Sequence, residues 1–170
     1  PERIIEKDYH YLARILIKKN QNYTKMVDEL NKLKQRGAGD PDNRIATLEK
    51  AIAQANIEIE RAFGEYAKVL EFDPEDKYIL NEIAVNSFNF RRYEEAAKTW
   101  EKLIDPNVDN TEEYMRIGRT YYTGENYKAA DSIFNIVLEK SPEYERALAT
   151  NNPLLDRYGT DMHLGLAKPK

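Results

Sequence analysis

The stretch Tyr114–Pro142 reads YMRIGRTYYTGENYKAADSIFNIVLEKSP and decides the fold. Its first apolar run is Ile117, Gly118, Tyr121 and Tyr122, and it stops at Thr123-Gly124-Glu125-Asn126. A second run follows, with Tyr127, Ala130, Phe134, Val137 and Leu138, and it ends at Pro142. Spacings of three and four place each run on one face of an amphipathic helix. A turn this short makes the two helices antiparallel. The stretch is therefore a helix–turn–helix unit.

The unit recurs. Stepping back by 34 residues carries Ala130 onto Ala96 and then Ala62, and Phe134 onto Trp100 and then Tyr66. Tyr127 falls on Tyr93 and then Ile59, while Val137 and Leu138 fall on Leu103 and Ile104, then on Val69 and Leu70. Small, aromatic and aliphatic residues thus return in phase over Ile57 to Pro142. One hairpin cannot bury its apolar face alone, so stacked copies share a core. Gly118 and Ala84 should let two helix backbones approach closely, as should Ala62, Ala96 and Ala130 on the second helices. The aromatics Tyr66, Trp100 and Phe134 should fill the space between neighbouring units.

This pattern resembles the tetratricopeptide repeat family. Tyr114, Ile117-Gly118, Tyr121, Ala130, Phe134 and Pro142 meet its signature, with Val137 where the family often has Ala. The preceding copy meets it less well, with Leu80, Ile83-Ala84, Ser87, Ala96 and Trp100, and its Pro106 comes two residues early. The resemblance implies an all-α fold, an α–α superhelix or solenoid, over residues 1–150.

The N-terminal part departs from the period. Pro1–Lys19 reads as a first helix, with Leu12-Ala13 in the close-approach place, yet the best second helix is Ile57–Leu70. About one repeat length of extra chain lies between them. Tyr23, Met26, Val27, Leu30 and Leu33 form a narrow stripe, and Ile45, Leu48, Ile52, Ala55 and Ile59 form another. Arg36-Gly-Ala-Gly-Asp-Pro-Asp-Asn separates them as a turn, with Asp42 or Asn43 as a helix cap. Arg44–Phe72 holds no proline and only Gly64, which predicts one long helix of roughly 40 Å at 1.5 Å per residue. Residues 22–56 then form an inserted helical hairpin whose tip is Gly37–Asp42. The alternative, two ordinary repeats at 7–40 and 41–74, requires a turn at Ala55–Glu58, where breaking residues are weak.

Further along, Lys77–Phe90 and Tyr93–Ile104 read as helices, and Thr111 as the cap of the next. A further helix is expected over Pro142–Thr150. Residues 151–170, with Gly159, Gly165 and Pro169, read as an irregular C-terminal segment or a truncated further repeat.

Composition narrows the function. The formal net charge is −4 and the pI is near 5.4, which disfavours nonspecific nucleic-acid binding. No run of 18 apolar residues exists to span a membrane. Cysteine is absent, which removes thiol chemistry and leaves the compartment open, cytoplasmic or periplasmic. His10 and His163 stand far apart in sequence and have no cysteine partners for a zinc site. Asp105, Asn107 and Asp109 open like a calcium loop, but Asn110 stands where glycine is needed and Arg116 where a bidentate glutamate is needed. They read as a loop with helix caps. There is neither GxxxxGK nor GxSxG. The sequence therefore points to no catalytic constellation and no cofactor.

In the family resembled, the first helices line a concave groove where ligands lie. Carried onto this chain, that implies a groove of Lys7, His10, Arg14 and Lys18, then Tyr78, Asn81, Val85 and Asn89, then Met115, Arg119 and Tyr122. The set is more basic than the chain as a whole. Tyr78 and Glu82 break the family's clamp for a terminal carboxylate, so that ligand is not expected. The expected role is a non-catalytic scaffold or adaptor binding a protein or peptide. Self-association through exposed repeat ends, or service as the repeat domain of a larger enzyme or transport assembly, are the alternatives.

Overall fold

The computed structural model describes residues 2–36 and 43–141. The expected hairpin tip at 37–42, the further helix at 142–150, the segment 151–170 and His163 lie outside the described residues. The described residues are all-α, with no strand among them: α1 (Glu2–Lys19), α2 (Tyr23–Gln35), α3 (Arg44–Phe72), α4 (Lys77–Asn89), α5 (Tyr93–Glu101), α6 (Thr111–Thr123) and α7 (Tyr127–Lys140). None of these helices is long and apolar enough to cross a membrane. The chain divides into two compact units at Phe90/Arg91.

In the first unit α3 is the spine. It runs unbroken through Ala55–Glu58, so the turn that two ordinary repeats would need is not there. Its inner stripe, Ala55, Ile59, Phe63, Tyr66 and Val69, packs with Ala13 of α1 and with Ile79, Ile83 and Phe90 from the α4 segment. Burying such side chains is worth about 1.5–3 kcal/mol each, which is what holds a charged helix like α1 in place. The end of α1 is tied polar-fashion as well. Lys19 Nζ and Asn20 Nδ2 donate to Glu58 at 2.5 and 3.0 Å, and the Asn20 amide also reaches the Leu16 carbonyl at 2.8 Å.

The second helix, α2, differs in kind. None of its residues is fully buried. Tyr23 and Met26 pack on the core, and Tyr23 meets the Phe90 ring edge-on at 5.9 Å. Farther out, charge closes α2 on α3: Arg44 donates to both oxygens of Glu29 at 2.8 and 2.9 Å, and Lys34 lies 2.7 Å from Glu49. At the start of α3, Asn43 occupies the cap position with φ 52°, but its side chain makes no capping bond. Asp76 does cap α4, accepting from the Tyr78 and Ile79 amides.

The second unit packs α6 against both α5 and α7. Gly118 is a point of close approach between α6 and α7. A Cβ there would lie 2.5 Å from the Phe134 ring, so Phe134 packs into its own hairpin. Trp100 is 5% exposed and carries the Arg116 guanidinium 4.5 Å above its ring. The Tyr121 hydroxyl donates to Glu101 at 2.5 Å.

Two expectations need correction here. Helix α5 stops at Glu101, short of Ile104, and its end tightens through Leu103 N to Trp100 O. Beyond that turn Pro106 lacks an N–H and keeps the preceding Asp105 out of helical conformation, so the helix does not resume. Thr111 is not a cap but the first residue of α6. Asp109 accepts from its amide at 3.0 Å and its hydroxyl at 2.7 Å.

Candidate functional site

The first unit holds a cleft of about 630 Å³ between α1 and α4, with Tyr66 of α3 at its wall and the start of α2 at one end. Five of the residues expected in a groove line it: Arg14 and Lys18 from α1, and Asn81, Val85 and Asn89 from α4. They converge for a periodic reason. Arg14 and Lys18 are four residues apart, as are Asn81, Val85 and Asn89 in succession, so each set forms a stripe on one helix face. Val85 is 41% exposed, an aliphatic surface among polar neighbours.

His10 and Tyr78 do not stand free on the wall. Both bind Glu82, which sequence reasoning noted only as a break in the clamp pattern. His10 Nε2 lies 2.8 Å from Glu82 Oε2, and the Tyr66 hydroxyl donates to the same oxygen at 3.2 Å. The Tyr78 hydroxyl donates to Oε1 at 3.0 Å, and Asn86 Nδ2 donates to the Tyr66 oxygen at 3.2 Å. Arg14 Nε stands 3.8 Å from Oε1, close enough for attraction and too far for a hydrogen bond. Burial opposes the charge on Glu82, but the bonds from His10, Tyr78 and Tyr66 outweigh it and hold the carboxyl below its ordinary range. The reciprocal effects follow. Burial and then the Glu82 charge push the Tyr66 hydroxyl up, and acceptance by Glu82 raises that of Tyr78.

The remaining expected residues lie elsewhere. Lys7 is exposed on α1 and does not line the cleft. Met115, Arg119 and Tyr122 belong to the second unit. Met115 is 1% exposed and is a core residue, because α6 is covered on two sides by α5 and α7. Arg119 is exposed, and Tyr122 is partly covered, edge-on to Tyr127 at 5.3 Å.

Besides Glu82, sequence reasoning missed Ile17, Gln21, Thr24, Tyr66, Asn86 and Phe90 in the cleft lining. Asn86 sits one turn from Glu82 and was findable from that spacing. Gln21 and Thr24 were not, since only the fold of α2 back toward α4 brings them there. Searches for related proteins return nothing for this chain: no family model, curated protein or solved structure matches it.

Proposed function

We propose that this chain is a tetratricopeptide-like helical repeat, with 22–56 as an inserted hairpin, and that it serves as a non-catalytic interaction module holding a peptide or protein segment in the cleft between α1 and α4. Two backbone features support the repeat. The non-glycine residues Arg91 and Glu125 both adopt left-handed φ, 63° and 62°, and they stand one 34-residue period apart in matching three-residue connections. Both connections lead from a first helix to a second helix that begins with tyrosine, Tyr93 or Tyr127.

The observation that carries the binding role is the composition of the cleft wall. It combines cations, carboxamides and an exposed aliphatic surface on two helices of a packed unit, so it offers an extended segment both hydrogen bonds and apolar contact. The only carboxylate in its wall among the described residues, Glu82, is consumed by three donors and is a poor acid or base. Selection of displayed random peptides on the full chain tests this, with a Val85→Arg/Asn89→Arg variant beside the parent. Peptides enriched on the parent and lost on the variant are expected. Enrichment that survives the variant places the surface elsewhere, and absence of enrichment refutes the role.

A further inference from the structure

The cleft presents two cations that differ from its anion in one respect, namely how far each is already committed. Glu82 is committed. Its side chain is 19% exposed, and three donors at 2.8 to 3.2 Å fix both oxygens. Arg14 is 60% exposed and has no hydrogen bond to Glu82 at 3.8 Å. Lys18, one turn along α1, is exposed with no ion-pair partner among the described residues. The wall therefore offers two available positive charges beside one negative charge that cannot swing away or easily become neutral. Next to them, Val85 and Ile17 supply apolar surface.

We propose that the cleft selects an internal peptide segment carrying a single side-chain carboxylate beside an apolar residue, and that Glu82 is the specificity-determining residue that rejects a doubly charged group at the same place. The proposal rests on the binding role given above and adds the chemistry of the ligand. A carboxylate brings one charge and accepts two hydrogen bonds from a guanidinium in a planar fork. A phosphate monoester brings about −1.5 to −2 at neutral pH, and its second charge must settle near the Glu82 carboxylate, which its donors keep ionised. A C-terminal acidic residue likewise brings two carboxylates to one spot. A nucleic-acid strand carries one charge at every nucleotide, so a second phosphate always follows the one placed beside Arg14 and Lys18 and meets Glu82.

The test takes a peptide enriched on the parent chain and synthesises it with its acidic position as Asp, Asn or phosphoserine. Binding to the full chain is read by fluorescence anisotropy, with an oligothymidine as a further probe. The Asp peptide should bind about tenfold or more tighter than the Asn peptide, the size of one hydrogen bond to a charged group. The phosphoserine peptide should bind more weakly than the Asp peptide, and oligothymidine should not compete. Arg14→Gln with Lys18→Gln, both at exposed positions, should erase the preference for Asp over Asn. Glu82→Gln should move the phosphoserine peptide up relative to Asp, a change of ranking that simple loosening of the fold would not produce. If Glu82→Gln unfolds, the Asp-to-phosphoserine ratio on the parent decides the question. Tighter phosphoserine binding on the parent, enriched peptides without an acidic residue, or an unchanged ranking in folded Glu82→Gln would each overturn the proposal. Failure to enrich any peptide would instead refute the binding role on which it rests.

Discussion

Replacing Gly118 with Ala sets two physical effects against each other, and the structure says which wins. Alanine is the better helix former by about 1 kcal/mol in a helix interior. Against that, its Cβ would lie 2.5, 2.8 and 3.0 Å from three ring carbons of Phe134. Carbon pairs rest at about 3.5–4.0 Å, so the ring must retreat by roughly 1 Å. Phe134 is 5% exposed and Ala130 on the same helix is fully buried, so no open space receives it. Overpacking of this kind costs about 1–3 kcal/mol. The net expectation is a loss of about 1 kcal/mol, or about 2–4 °C in Tm for a chain of this size. Urea unfolding followed by helical circular dichroism measures it. The cleaner quantity is the coupling. Phe134→Leu alone should destabilise, but with Gly118→Ala it should cost less than the sum, by about 1 kcal/mol. Gly64 is the internal control. It also lies inside a helix, yet a Cβ there meets nothing within 4 Å, so Gly64→Ala should stabilise by about 0.5–1 kcal/mol. If Gly118→Ala stabilises as much as Gly64→Ala does, and the double variant is additive, the close contact of α6 and α7 is wrong.

Hydrogen bonds from Lys19, Asn20 and Gln54 hold the Glu58 carboxyl at about 2, against an ordinary value of 4.5. Because the folded value is the lower one, this stability is complete above about pH 4.5 and is lost as pH falls toward 2. Acid titration of folding should therefore be shallower over that window in Glu58→Gln than in the parent, and an unchanged slope would discard the contact. Trp100→Ala removes a buried indole that carries Arg116, and thermal melts should show a loss of about 3–5 kcal/mol. Glu29→Lys breaks the clasp with Arg44 on the surface, so global stability should fall by less than about 1 kcal/mol while amide exchange in α2 quickens. Exchange that quickens equally in α2 and around Trp100 would show that α2 is not a separately held element.

Sequence alone determined where most of the helices lie and that α6 pairs with α7. Periodicity is a local property: Tyr127, Ala130, Phe134 and Val137 must share a face whatever surrounds them, and the absence of proline from 44 to 72 permits one helix. Proline acts as locally, and an early Pro106 was visible before its effect on α5 was. The family resemblance, carried onto this sequence, also marked Arg14, Lys18, Asn81, Val85 and Asn89, and spacing keeps each set on one helix face. Packing decided what spacing could not. Met115 lies on the same stripe as Arg119 and Tyr122, yet it is core, because burial depends on how many helices cover that stripe. Glu82 looked like a defect in a pattern. Only the meeting of α1, α3 and α4 brings His10, Tyr66 and Tyr78 onto it, from positions up to 72 residues away. A carboxylate's role is set by the donors and solvent around it, and those come from distant parts of the chain that no local pattern can place together.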